Sequence, residues 1–414
     1  MAQFIVEEAK RCLQCKRPLC KEGCPVNTPV NEVIKLLLDG NIIDAGEKLF
    51  NNNPLSVVCS LVCPHEKQCQ GHCVLGKKGN AVQFGAIENY ISDYYLNFIS
   101  PEVKVDRNKK IAIIGSGPAG ITIAIILASK GYDITIFEAH DKIGGVLRYG
   151  IPNFRLSKDI LEKLKEKLVS MGVKIRPNTM IGQDITIDNL FRDGYKAVFI
   201  GTGVWKSKTL GIQGETLGHV HYAIDYLKNP EVYNLGNRVC VIGAGNVAMD
   251  VARTALRHRS KEVYIMARRG PEDIQAEKME VEYAKIDGVK FEHYKAPVEI
   301  TDEGVKYIKT EVINEEGQRQ RVVMVEGTET LFPADSIIIA TGQGPRTNIV
   351  STTNGINVTR HGLVATDEAG HTTREGVFAS GDVVTGAKTV VEAVRLSKIV
   401  AQAMDEFVVN KYEI

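Results

Sequence analysis

The sequence has no excess of charge of either sign: 51 Lys and Arg face 50 Asp and Glu over 414 residues, a net charge of +1. Without a basic stripe there is no electrostatic case for nucleic acid or an anionic membrane as a partner. No apolar run approaches the ~18 residues of a membrane span. The N-terminal MAQFIVEEAKRC is too acidic and too poor in apolar residues for a secretory signal, which predicts a cytoplasmic protein. Tryptophan is nearly absent, and the single Trp205 reads as a packing residue. Cysteine is missing from almost the whole chain: beyond Cys73 only Cys240 remains, flanked by valines and read as a plain buried thiol. What is left is an ordinary globular composition, 44% apolar and 24% charged, with length for two or three domains.

The other eight cysteines are therefore conspicuous. Cys12, Cys15, Cys20 and Cys24-Pro25 form one group, and Cys59, Cys63-Pro64, Cys69 and Cys73 a second. Disulfides are unusual in a cytosolic chain, so such density points to metal. Zinc is the plainer alternative, but only Cys12 and Cys15 show the short two-residue gap of paired zinc ligands. The C-x-x-x-C-P ending resembles a ferredoxin run, in which the last cysteine serves the other cluster of a pair. Two [4Fe–4S] clusters follow from that logic, with Cys24 crossing to the second group. Between the groups, apolar residues at helical spacing predict two short helices broken at Asp39-Gly40-Asn41 and stopped at Asn51-Asn52-Asn53-Pro54. A third helix is expected over 82–98, and PEVKVDRNKK reads as a polar linker.

After the linker, KIAIIGSGPAG joins a buried strand to Gly115, Gly117, Pro118, Ala119 and Gly120, followed by an apolar helix. The first glycine permits the tight turn, the second lets backbone approach a pyrophosphate, and the third lets helix pack on strand. Unpaired N–H groups at the helix start face the anion. A second strand, DITIFE, ends at Glu138, where a carboxylate can accept from ribose hydroxyls. Gly144 to Pro152 reads as a glycine-rich loop too irregular for helix, and it carries Gly145, Leu147 and Arg148. The strand KAVFIGTGV ends in Gly201-Thr202-Gly203, where backbone would lie close to a ligand.

The pattern then restarts. NRVCVIGAGNVAMD carries Gly243, Gly245, Asn246, Val247 and Ala248, with alanine an accepted third member of the fingerprint. Its second strand, KEVYIMARR, ends on Arg268 and Arg269 instead of an acid. Arginine there suits a 2′-phosphate, which a carboxylate would repel, so the cofactor expected is NADPH, with NADH the alternative. Further on, DSIIIATGQGP ends a strand in Ala340-Thr341-Gly342, and GVFASGDVVTGAKTVVEAV supplies Gly381, Asp382 and a helix starting near Lys388-Thr389. Asp382 could hydrogen-bond ribityl or ribose hydroxyls. The helix start could stabilise charge on a reduced flavin.

Taken together, the double cysteine pattern with Val62-Cys63-Pro64, GIPNFRL (Gly150 to Leu156) and GDVVTGAKTVVEAV resemble one family. It is the family of the glutamate synthase small subunit and of the dihydropyrimidine dehydrogenase flavoprotein. The resemblance covers nearly the whole chain and is nearest in length to the stand-alone flavoprotein subunit of the bacterial NAD-dependent dehydrogenase. It implies an α/β chain in which two Rossmann-like domains, for FAD and NAD(P), follow a small all-α iron–sulfur domain. The segments expected are 1–104 for the clusters, 105–228 and 339–414 for FAD, and 229–338 for NAD(P)H. The resemblance further implies one cluster on Cys12, Cys15, Cys20 and Cys73. The other would lie on Cys24, Cys63, Cys69 and Glu88, with Cys59 left over though not excluded by spacing.

Relatives often carry Met-Pro where this chain has Ile274-Gln275. Such proteins pass hydride from nicotinamide to flavin by proximity, with no acid or base side chain, and release electrons through the clusters. No second flavin barrel is evident, so an FMN-containing synthase or dehydrogenase subunit, or ferredoxin, is implied as partner. A subunit exchanging electrons among ferredoxin, NADH and NADPH is the competing reading. A zinc-stabilised redox-sensing scaffold is a third.

Overall fold

The computed structural model describes residues 2–98, 109–183, 185–313 and 321–412. Most of the linker PEVKVDRNKK and the 104/105 boundary lie outside these residues. The chain divides into two compact units. One comprises Met1–Arg148, Asn153–Val204 and Gly344–Ile414, the other Tyr149–Pro152 and Trp205–Gln343.

In the first unit the cysteine-rich segment is all helix. Val30–Leu38 and Ile42–Asn52 are the two helices expected on either side of the break, where Gly40 takes a left-handed φ of 83°. Phe84–Phe98 is the third helix. Three more α-helices, Ala2–Lys10, Leu19–Glu22 and Ser56–Val62, flank or carry the cysteines. Val33, Ile34, Leu49, Ile87 and Ile91 meet in a fully buried core.

Beside it stands a five-stranded parallel sheet, ordered Val377–Ala379, Tyr195–Ile200, Lys110–Ile114, Asp133–Phe137 and Lys174–Arg176. Helix Pro118–Ser129 is apolar on every side because it is covered on every side; the C-terminal helix Val390–Tyr412 packs along it. The helical and sheet parts of this unit are joined by charge and rings. Lys163 donates to Asp93 at 2.6 Å, and the Lys167 ammonium lies 5.3 Å from the Phe50 ring and 5.7 Å from that of Tyr95.

The second unit repeats the plan. Its parallel sheet runs Val220–Tyr222, Ser336–Ile339, Arg238–Ile242, Glu262–Met266, Lys290–Glu292, with a small antiparallel sheet built on Gly304–Ile313. The unit boundaries differ from those expected at 228/229 and 338/339. Val220–Tyr222 pairs with Ile337–Ile339, and Ala223, Tyr226 and Leu227 of the following helix enter this unit's core. Residues 205–228 therefore go with the second sheet. Ser336–Ile339 and the turn after it go there too, because the strand hydrogen-bonds to Arg238–Ile242.

Two local expectations change. The loop after Gly145 contains a single helical turn, Val146–Tyr149, entered through left-handed Gly144 and Gly145. Asp382–Thr385 adds one turn of helix ahead of the expected long helix, which begins at Val390.

Candidate functional site

The first glycine turn is shaped by what surrounds each glycine. A Cβ on Gly115 would stand 2.7 Å from the Gly201 carbonyl oxygen, and one on Gly120 only 1.9 Å from that of Gly115. Helix, strand and neighbouring strand meet there without room for a methyl group. Gly117 is the opposite case: a Cβ there would meet nothing within 4 Å, and its φ of −74° suits any residue. Its absent side chain keeps open the space in front of the helix N-terminus. Gly145 and Gly381 border the same cradle, for a Cβ on the former would press on Gly117 and one on the latter on Ala119. Pro118 and Ala119 open the helix, and Gly201 donates its N–H to the Ile114 carbonyl. Thr202 and left-handed Gly203 follow directly.

Glu138 lies buried at the end of its strand, as expected, but its carboxylate already has protein donors. The Ser116 N–H and hydroxyl donate to one oxygen, and the His140 N–H donates to the other at 2.8 Å. His140 Nδ1 stands 2.9 Å from that second oxygen. These bonds hold the carboxyl below its usual range against the opposing effect of burial. Ser116 and His140 were not singled out from sequence. Only the position of Ser116 inside the fingerprint hinted at it. Arg148 also differs from a free cationic arm: its guanidinium donates to the Ile143 carbonyl at 2.7 Å and to Glu162 at 2.8 Å. Leu147 is fully buried, and its carbonyl accepts from Lys158. Asp382 is desolvated, which raises its carboxyl to about 6, and it accepts the Lys388 N–H at 3.1 Å. Thr389 precedes the C-terminal helix, its hydroxyl accepting the Glu392 N–H.

The second turn copies the first. A Cβ on Gly243 would lie 2.4 Å from the Ala340 carbonyl oxygen, Ala340 donates to Ile242, and Gly245 faces open space. Ala340, Thr341 and Gly342 thus stand to this turn as Gly201, Thr202 and Gly203 stand to the other. Asn246 opens the helix, with Val247 behind it, and its side-chain oxygen accepts the Glu277 N–H at 2.8 Å. Arg268 is exposed and Arg269 half-buried. Their backbones are pinned, since the Arg268 carbonyl accepts from Thr310 and that of Arg269 from the Tyr294 N–H. Neither guanidinium has a hydrogen bond or ion pair among the described residues. Ile274, near them, packs on this unit's core.

The thiols form two neighbourhoods that cut across their order in sequence. Cys12, Cys15, Cys20 and Cys73 line one apolar cavity with Val30 and Ile34, and Cys69 reaches its wall from the second neighbourhood. Burial pushes the Cys20 thiol up to about 11, and Cys12 and Cys73 add to that. In the second neighbourhood Glu88, 6% exposed, is raised well above the usual carboxyl range, chiefly by burial. Its charge in turn bears on Cys24, Cys63 and Cys69, each of them raised. Cys59 stands behind Cys63, hydrogen-bonded to it and fully buried. Among the described residues no three His, Cys, Asp or Glu side chains close on a single ion. The first group lines a cavity instead. Two buried polar atoms beside them, Asn31 Oδ1 and His65 Nε2, have no partner among the described residues. Soft thiols, most of them half-buried, gathered about an apolar cavity fit an iron–sulfur cluster, and the glycine cradles fit nucleotide phosphates. Cys240 is a buried thiol raised to about 12 by desolvation and lies in neither neighbourhood.

Comparison with known proteins agrees with this geometry. Residues 109–396 match the pyridine nucleotide-disulphide oxidoreductase family, and residues 1–98 match the 4Fe-4S cluster domain II of dihydropyrimidine dehydrogenase. The NADPH glutamate synthase small chain of Halomonas elongata is 36% identical over 95% of this chain and 88% of its own. That of Escherichia coli K12 is 34% identical over 94% of this chain and 88% of its own. Among solved structures, Mycobacterium tuberculosis FprA in complex with NADPH superposes with a TM-score of 0.64 at 19% identity, covering 74% of this chain and 86% of that one. No helix among the described residues is long and apolar enough to cross a membrane.

Proposed function

This chain belongs to the pyridine nucleotide-disulphide oxidoreductase family, within it to the line of the glutamate synthase small chain, and on that footing we propose that it is the electron-input subunit of a larger redox enzyme. It is an FAD-dependent, NADPH-using oxidoreductase with an iron–sulfur domain. When bound, the flavin supplies the exchange between hydride and single electrons, and the clusters supply single-electron conduction.

The chain's own residues hold these groups. Gly117 and the N–H groups of Pro118–Ser129 receive the FAD pyrophosphate, with Gly145, Gly201 and Gly381 keeping the backbone close. Glu138, held in place by Ser116 and His140, would present its remaining acceptor capacity to the ribose, and Asp382 and Thr389 would hydrogen-bond other parts of the flavin. Gly243, Gly245 and the helix from Asn246 receive NADPH, and Arg268 and Arg269 its 2′-phosphate. Cys12, Cys15, Cys20 and Cys73 hold one [4Fe–4S] cluster; Cys24, Cys63, Cys69 and Glu88 hold the other. No side chain is needed as acid or base, because orientation suffices for hydride transfer.

The observation that carries this reading is the presence of the thiol neighbourhoods and the first nucleotide cradle in one compact unit. A flavin in that cradle and clusters on those thiols would be held by one unit of one chain, and an FMN-containing synthase or dehydrogenase subunit, or ferredoxin, would be the partner. Anaerobically purified protein is expected to carry about eight iron atoms and one FAD per chain, the content of two four-iron clusters. It should also reduce an artificial acceptor with NADPH. Stoichiometric zinc with little iron would refute the reading.

A further inference from the structure

The C-terminal helix Val390–Tyr412 belongs to the nucleotide-binding part of the first unit, yet one of its side chains reaches into the helical cysteine segment. Lys398 Nζ donates to the Asn52 carbonyl at 2.7 Å and to Asn52 Oδ1 at 3.1 Å. Asn52 Nδ2 donates in turn to Thr28 Oγ1, a longer contact of 3.4 Å. Thr28 Oγ1 lies 3.3 Å from Cys24 Sγ. Thr28 is 3% exposed, so its hydroxyl has little water to turn to.

The chemistry of the two ends gives this chain a direction. An ammonium can only donate, so Asn52 must turn its oxygen to Lys398 and its N–H₂ to Thr28. A metal-bound thiolate has no proton, so it can only accept, and the Thr28 hydroxyl must point its hydrogen at sulfur. Accepting from Asn52 on its other side leaves that hydroxyl free to do so. Every link then donates toward Cys24. Lys398 also sits at the end of helix Ile42–Asn52, where a cation is favoured by the helix dipole.

We propose that Lys398, Asn52 and Thr28 form a polarised relay by which the nucleotide-binding part raises the reduction potential of the cluster bound through Cys24. This rests on the ligand reading above, in which Cys24 serves the second cluster. A positive charge and a hydrogen bond to a ligand sulfur both stabilise the more negative, reduced cluster, since net charge and sulfur hydrogen bonds set its potential. Lys398 is a positioning residue: it reaches the cluster through Asn52 and Thr28. The cluster ligated by Cys12, Cys15, Cys20 and Cys73 lacks this relay and should not respond to it.

The test is redox titration of the anaerobically purified full-length protein, followed by electron paramagnetic resonance. The Cys24-dependent signal is first identified as the one lost or altered in Cys24→Ser. Lys398→Met and Thr28→Val should each lower that cluster's one-electron reduction constant about tenfold, equivalent to 59 mV. Both should leave the other cluster within twofold. Thr28→Ser, which keeps the hydroxyl, should behave as wild type. The double variant should lose less than the product of the two singles, because its members act through one chain. Shifts under twofold with full iron content would overturn the relay. So would equal shifts in both clusters, or strict multiplicativity in the double variant. If the variants fail to assemble, hyperfine spectroscopy of the wild type in D₂O decides. The backbone N–H groups of Val26 and Thr28 also reach Cys24, so a strongly coupled exchangeable proton beyond those two supports the relay, and its absence refutes it. Should Cys24→Ser leave both signals intact, the ligand reading fails first and the relay with it.

Discussion

Replacing both Arg268 and Arg269 with alanine should remove the preference for NADPH while sparing catalysis. The two residues follow the strand Glu262–Met266, where an NAD-specific fold presents an acid to the 2′-hydroxyl. Their main chains are fixed by Thr310 and Tyr294, and their guanidinium groups are unpaired among the described residues. Binding a phosphate therefore breaks no internal ion pair and needs little backbone ordering. One charge-assisted hydrogen bond contributes about 1.5–3 kcal/mol. At about 1.4 kcal/mol per decade, the loss of one corresponds to roughly 10- to 150-fold in affinity. Arg268 is exposed, so its share belongs at the low end of that range.

The 2′-phosphate is remote from the transferred hydride, so the loss should appear in KM for NADPH with kcat nearly constant. NADH, which lacks the phosphate, should change far less. Ionic strength supplies an independent check. An exposed pair is screened over about 10 Å at 0.1 M salt, so wild-type KM for NADPH should rise with salt more than KM for NADH. Steady-state dye reduction with both nucleotides measures all of this. A wild type that prefers NADH, or a double variant that loses both nucleotides equally, would refute the assignment.

Other expectations follow from the same geometry. Cys24→Ser should abolish or alter one cluster signal while the other persists; both signals unchanged would remove Cys24 from the ligand set. Gly117→Ala should leave the flavin-free protein within about 0.5 kcal/mol of wild-type stability, as its Cβ meets nothing, yet weaken FAD tenfold or more by filling the cradle. Gly120→Ala should instead destabilise the fold itself by about 1–3 kcal/mol or more, because its Cβ collides with the Gly115 carbonyl. Urea midpoints and flavin titration separate these two outcomes. Asp382 gives a pH signature in the flavin-free protein. Burial raises its carboxyl from about 3.8 unfolded to about 6 folded, so the folded state holds a proton that the unfolded chain releases between those values. Its contribution to stability therefore falls as pH rises from about 4 to 6. Asp382→Asn should be the more stable form above pH 6, by on the order of 2–3 kcal/mol, and should converge with wild type below pH 4. Parallel urea midpoints across that range would refute this.

Much of this molecule could be read in the sequence because its signals are local. Four apolar residues before Gly115 and the same pattern before Gly243 specify buried strands entering tight turns, and neither needs a distant partner to be recognised. The helix break at Gly40 is local too, since only a residue without a Cβ enters a left-handed φ at no cost. The contrast of Glu138 with Arg268 and Arg269 is a matter of charge at one strand end.

Tertiary structure decided what depends on residues far apart in the chain. Cys73 joins Cys12, Cys15 and Cys20 at one cavity, and Glu88 comes close enough to Cys24, Cys63 and Cys69 to raise each thiol, only because packed helices bring them together. Spacing alone can count ligands but cannot divide them into groups. Ala340-Thr341-Gly342 lies against Gly243 because Ser336–Ile339 pairs with Arg238–Ile242. Hydrophobicity cannot reveal which of two similar sheets a buried apolar strand will enter. Lys398 and Thr28, 370 positions apart, look like an ordinary surface lysine and a loop threonine until the C-terminal helix folds against the cysteine segment. Hydrogen bonds are directional and short, so the chain of donors from Lys398 to Cys24 exists only once packing has set each distance.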